Sequence, residues 1–184
     1  MSLFKIQKKS DQEFEMSLSH PDGSEFINNT AFRHIKKQLS GLEANRCYHL
    51  LSKGSWSLYE LIVFIAKQIG CCQLTFSTWA ISEEAALTFC ELKQKKTLIS
   101  ISGIFDHTTE SHKNSALTIC RSYFDKIAFA HLHAKVAILQ NDQFKISIVS
   151  TANMTTNPRY ERTAVFTNPI VAAADEQWLK QLLC

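Results

Sequence analysis

Between Arg46 and Phe124 the sequence alternates two kinds of apolar pattern, and that alternation limits the chain to a small set of folds. Short β-rich runs, RCYHLL, QLTFSTWA and KTLISISGIF, are separated by longer stretches with helical spacing, LYELIVFIAKQIG, EEAALTFCELKQ and HKNSALTICRSYF. Ser57 precedes the first of these helices with Glu60 three residues on, a spacing at which hydroxyl and carboxylate reciprocally satisfy free amides at a helix start. Gly70 marks its end, and Ser82 caps the second helix. Strand, helix and strand in succession need crossover connections, which set strands parallel and lay helices over the sheet.

The flanks extend the pattern. FKIQKKSDQEFEMSL alternates weakly and predicts an N-terminal hairpin within residues 1–25, ending at the turn signal HPDG. AFRHIKKQL has helical spacing and stops at Ser40 and Gly41. After the alternating region, IAFAHLHAKVAIL and FKISIVST are joined only by QNDQ, which predicts an antiparallel hairpin. YERTAVFT is a further strand and DEQWLKQLL a closing amphipathic helix. At 184 residues the chain is sized for one domain. The expected fold class is therefore α/β: a single domain over residues 1–184, with a mixed, mostly parallel sheet covered by helices on both faces.

Composition enters mainly by exclusion. With 45% hydrophobic and 20% charged residues, five Gly and three Pro, the chain is neither disordered nor fibrous. A formal net charge of +3 is too small to name a nucleic-acid partner by itself. No stretch approaches the roughly 18 uninterrupted apolar residues of a membrane span, and no secretory leader is apparent, so no membrane association and a cytoplasmic location are expected. Six cysteines occur without zinc-site spacing, and the adjacent Cys71 and Cys72 suit a disulfide framework badly, so buried free thiols are expected and no metal is called for.

One segment does not fit a purely structural reading. If AHLHAKVAIL is one strand, His131, His133 and Lys135 share a face while Leu132, Ala134, Val136 and Ile138 share the other. Lysine is rarely buried without a partner, so His133 and Lys135 are expected to face a cleft that water or an anion enters. STANMTTNPRYE then gathers Ser150, Thr151, Asn153, Arg159 and Glu161 after an apolar strand, where α/β folds commonly place sites.

His133-Ala-Lys135, followed by a strand, a turn, a second strand and Ser150-Thr151-Ala152-Asn153, resembles the HxK…GSxN signature of the phospholipase D superfamily. The stretch Asn157-Pro158-Arg159-Tyr160-Glu161 resembles the part of that family carrying an acidic residue behind the site. The match covers residues 131 to 161. Gln140 stands where the family has a structural Asp, with Asp142 two positions later. Ser150 and Thr151 stand for the family's Gly and Ser, and the second half of the motif comes three residues late, as a longer hairpin turn would produce.

The resemblance implies a metal-free, cofactor-free phosphodiesterase in which His133 attacks phosphorus to give a phosphohistidine. Lys135, Asn153 and Thr151 would stabilise the phosphoryl oxygens, and Glu161 would orient an imidazole. A second histidine must protonate the leaving oxygen. His49, His107 and His112 lack a Lys two residues on, and His34 with Lys36 lies in the helical stretch AFRHIKKQL, where residues two apart do not share a face, so the chain is read as having one motif. The family's small single-motif members, which are endonucleases, pair two subunits about a two-fold axis, and a homodimer acting on nucleic acid is the corresponding expectation here.

A bare HxK is more often a solvated strand face than a site, and only its combination with STAN and NPRYE carries the reading. His131 has no family counterpart. Trp79 and Asp106 are expected as core or capping residues, Lys36, Lys37, Lys95 and Lys96 as solvated surface, and Arg159 with Glu161 forms an ordinary ion pair if the site reading fails.

Overall fold

The capping box forms as expected, and the sheet assembles around the helix it starts. The computed structural model describes residues 29–110 and 115–184; the N-terminal hairpin expected over 1–25 lies outside the described residues. Ser57 Oγ accepts the Glu60 amide while a Glu60 carboxylate oxygen accepts the Ser57 amide at 2.7 Å, opening α2 (Leu58–Ile69). Around it run α1 (Asn29–Gln38), β1 (Cys47–Lys53), β2 (Cys72–Thr78), α3 (Glu83–Gln94), β3 (Leu98–Asp106), α4 (His107–Glu110) and α5 (Ser115–Tyr123). The chain finishes with β4 (Lys126–Ala130), β5 (Lys135–Gln140), β6 (Lys145–Ser150), β7 (Tyr160–Phe166) and α6 (Pro169–Leu182).

The seven strands form one sheet in the order β1-β7-β6-β5-β2-β3-β4. Five point the same way and two, β5 and β7, the other, so the sheet is mixed and mostly unidirectional. By neighbouring pairs the balance is different: only β2–β3 and β3–β4 are parallel. The connections after β5 are too short for helical crossovers, so β5, β6 and β7 fold back on one another as an antiparallel meander, and β1 closes its far side.

Helices cover both faces. Leu74, Phe76, Ile101, Phe105, Ala137, Leu139, Ile148 and Val165 point into the main core beneath α1, α2, α3 and α5. Ile104, Val136 and Ile138 form a smaller cluster with Leu179, Trp178 and Leu183 from α6 and the segment after it. All six cysteines are free, but only Cys72, Cys90 and Cys120 are buried; Cys47, Cys71 and Cys184 are exposed, because they sit at strand starts and the chain end rather than on core-facing positions. Burial pushes the Cys72 and Cys120 thiols up to about 12, which keeps them protonated and inert. Among the described residues, no helix is long and apolar enough to cross a membrane.

The largest departure from expectation lies in IAFAHLHAKVAIL, which is two strands. β4 is the edge neighbour of β3, whereas β5 lies between β6 and β2. Residues 131–134 cross the carboxyl ends of β3 and β2 to connect them. Three inter-strand spacings cover about 14 Å, and the five steps from Ala130 to Lys135 reach at most about 17 Å, so the crossover must be almost fully extended. It is pinned in passing. The Leu132 amide donates to Asp106 Oδ2 at 3.0 Å, and Ser77 Oγ donates to the Ala134 carbonyl at 3.1 Å. Extended backbone keeps the two-residue alternation, so Leu132 still packs on the α6 side with Val136 and Ile138 although no strand joins them.

Candidate active site

Every connection at one edge of the sheet contributes to a single region. β1, β2, β3, β4 and β6 end there, and β5 and β7 begin there. In this region β5 pairs with β6 so that Lys135 lies opposite Ser150, and β6 pairs with β7 so that Ser150 lies opposite Thr163. The two halves of the sequence motif are thus brought side by side by register.

Lys135 is only 4% exposed, because it shares a face with Ala137 and Leu139, which belong to the main core. The expected water-lined cleft is therefore corrected at this position: the lysine stem is buried, and only His133 above it is exposed. The ammonium donates to the His133 carbonyl at 2.7 Å and lies 3.1 Å from both ring nitrogens of His133, so whichever nitrogen carries the lone pair has a donor beside it. Burial holds the Lys135 ammonium below the ordinary lysine range, opposed by the negative charge of Glu161.

The carboxylate of Glu161 is fully engaged within the chain. One oxygen accepts a short bond from the Thr151 hydroxyl and the other accepts from Asn157 Nδ2 at 2.7 Å. Thr151 in turn accepts the Arg162 amide at 3.1 Å. Glu161 therefore reaches Lys135 electrostatically but does not hold His133, and Thr151 directs its proton to Glu161 rather than outward. No Arg159–Glu161 ion pair forms among the described residues, and Arg159 is exposed. Ser150, in the place of a glycine, turns inward: its Oγ lies 2.8 Å from Thr163 Oγ1 and accepts the Ala152 amide at 3.0 Å.

Asn153 is half-buried, and its Oδ1 is a buried atom with no hydrogen-bond partner, one of two such side-chain atoms among the described residues with Trp56 Nε1. A buried acceptor left unpaired within the chain is costly. The segment bearing it is rigid, since the Met154 amide donates to the Ala80 carbonyl at 3.1 Å and the Met154 carbonyl accepts the Ser82 amide at 2.9 Å. Gly54, at φ +69°, lets the β1–α2 loop approach the other end of the site: a Cβ there would stand 3.0 Å from Pro158 Cα.

Three positions matter more than their sequence patterns indicated. Asp106 caps the end of β3 as expected, but it also anchors the crossover; bonds from the Thr108 hydroxyl, the Thr108 amide and the Leu132 amide hold its carboxyl down at about 2. Trp79 is not core: it is 43% exposed, and its ring centroid lies 6.5 Å from that of His133. Asn141 organises the β5–β6 turn, accepting the Gln143 and Phe144 amides and donating to the Ile69 carbonyl at 2.8 Å. That turn is at the opposite edge of the sheet, so the three extra residues of the motif leave Lys135 and Ser150 in register. The His131 and His107 rings lie tilted at 55° to one another with centroids 4.7 Å apart, just beyond the ends of β4 and β3. Among the described residues, no three His, Cys, Asp or Glu side chains converge as metal ligands.

No protein-family model matches this sequence, and no curated protein sequence matches it either. Solved structures do. Nuc from Salmonella typhimurium, described as a phospholipase D family member, superposes with a TM-score of 0.56 at 12% identity, covering 74% of this chain and 94% of its own. NucT from Helicobacter pylori gives 0.57 at 11%, covering 75% and 96%. A phosphatidylserine synthase from Haemophilus influenzae gives 0.53 at 11% identity, with 74% of this chain matched to 38% of that one. The chain has the phospholipase D-like fold.

Proposed function

We propose that the chain is a phosphodiesterase acting on nucleic acid, a nuclease, which works through a phosphohistidine at a site shared by two copies. The observation that carries this reading is the buried Lys135 ammonium set directly beneath an exposed His133, a costly arrangement that packing alone does not require. His133, once a ring nitrogen is released from Lys135, attacks phosphorus and displaces one ester oxygen. The negative charge gathering on the equatorial oxygens would meet the Lys135 ammonium and the Asn153 amide. A metal ion is not needed for that charge. The leaving oxygen takes its proton from a second imidazole, His133 of another copy, and water later attacks the phosphohistidine to return both groups to their starting state. Glu161, released from Thr151, orients and stabilises whichever imidazole becomes protonated.

A second reading, a nucleic-acid-binding module that no longer cleaves, is favoured by one observation: Thr151, Asn157 and Glu161 are satisfied by one another in the single chain. Purified protein incubated with plasmid DNA in excess chelator, beside His133→Ala, decides between them. Chelator-resistant cleavage lost in the variant supports the nuclease, and binding without cleavage supports the module. Headgroup release from phospholipid vesicles with DNA left intact would move the activity to lipid. The shared site requires association, so a monomer at micromolar concentration that still cleaves would overturn the two-copy mechanism.

A further inference from the structure

Trp79 carries a consequence for substrate choice. It follows β2, stands 43% exposed, and sets its indole 6.5 Å from the His133 ring with the planes at 49°. Burying an indole is among the larger gains open to a folding chain, yet this one is left out. Mobility does not explain that. Thr78 Oγ1 donates to the Ala80 carbonyl at 2.8 Å and accepts the Met154 amide, Ile81 bridges Met154, and Ser82 caps α3. The backbone on both sides of Trp79 is thus tied to the segment that carries Asn153, and the indole is presented on a fixed loop at the rim of the site.

We propose that Trp79 is a nucleobase platform, stacking the base next to the phosphate that His133 attacks, and that it makes unpaired nucleic acid the preferred substrate. This rests on the nuclease reading and extends it. A flat π-face recognises bases of any sequence. A quaternary ammonium headgroup, the other ligand an indole attracts, would meet the Lys135 ammonium that lies 3.1 Å from the same imidazole. In a duplex the base faces are occupied by their neighbours, and exposing one costs a few kcal/mol.

The test compares wild type, Trp79→Ala and Trp79→Phe on a single-stranded oligonucleotide, the same oligonucleotide as duplex, and a chain of abasic residues with the same backbone. Trp79→Ala is expected to lower kcat/KM on the single strand about tenfold to a hundredfold, with Trp79→Phe retaining most of the activity. On the abasic chain wild type and Trp79→Ala should be equal. An equal loss on intact and abasic chains would show that Trp79 only positions His133, and would overturn the proposal. So would no loss on the single strand, or a loss confined to phosphatidylcholine vesicles. Should Trp79→Ala fail to fold, Trp79→Leu keeps the bulk and removes the ring. Failure of the nuclease reading looks different: wild type then cleaves no nucleic acid, and the platform is judged by indole fluorescence. Quenching by the intact but not the abasic strand, absent in Trp79→Phe, retains it; no quenching removes it.

Discussion

Replacing Lys135 with methionine separates what this residue does for the fold from what it does for chemistry. The structure supplies both sides of the comparison. The wild-type ammonium loses solvent at 4% exposure and regains one strong bond, to the His133 carbonyl at 2.7 Å, with the imidazole alongside. A charged hydrogen bond contributes about 1.5–3 kcal/mol, whereas burying an ion costs several kcal/mol, so exchanging the ammonium for an apolar group of similar length should be near neutral or stabilising. Urea unfolding is expected to place Lys135→Met within about 1 kcal/mol of wild type or above it. Turnover of an oligonucleotide should meanwhile fall about 10²–10³-fold, the usual cost of deleting a preorganised donor. The pH dependence adds a signature. Because burial holds the folded-state pKa of Lys135 below its unfolded value, the unfolded chain binds more protons across the interval between them, and wild-type stability rises with pH there. The cost is fully present below that interval, and Lys135→Met should lack the rise. A loss of about 3–5 kcal/mol in the variant would refute the reasoning, because it would make the ammonium a structural anchor of the crossover.

Four further substitutions probe the supports of the site. Gly54→Ala places a side chain at φ +69° and a Cβ 3.0 Å from Pro158 Cα, so it should cost about 1–2 kcal/mol by urea unfolding and lower activity by moving the segment that carries Asn157 and Glu161. Asp106, held at about 2 against the ordinary 3.8, contributes stability that is present above that ordinary value and lost as pH falls toward 2; Asp106→Asn should flatten this part of the acid-unfolding curve, and an unchanged slope would count against the anchoring role. Asn141→Ala should destabilise by about 1–2 kcal/mol while Gln140→Ala stays within about 0.5 kcal/mol, both by thermal or urea unfolding; the reverse order would return the turn's structural role to Gln140.

Much of the architecture was legible because it is written locally. Ser57 and Glu60 specify a helix start with atoms only three residues apart, and Ser82 does the same. The region from 126 to 140 was misread because a strand and an extended crossover share the same two-residue period, and only the distant pairing of β4 with β3 and β5 with β2 distinguishes them. The proportions of the sheet were hidden for a related reason, since direction is local but neighbourhood is not. In the candidate site, His133 and Lys135 were visible as a motif, but the burial of Lys135 depends on what lies beneath β5. The pairing of Thr151 with Glu161 depends on the β6–β7 register. Trp79 and Asp106 gave no signal beyond their place at strand ends, and their meaning comes from which loops lie beside them.

The taut crossover also bears on how such a sequence can change over time. A segment drawn nearly to its contour length over two strand ends has little conformational freedom left to lose, so the backbone at His133 is held in place by topology rather than by side-chain packing. That leaves the identities of His131 and Ala134 open to drift while forbidding a deletion between Ala130 and Lys135, which would no longer reach. The opposite edge obeys no such constraint. Inserted residues collect in the Asn141–Phe144 turn, where a change of length never arrives at the reactive imidazole.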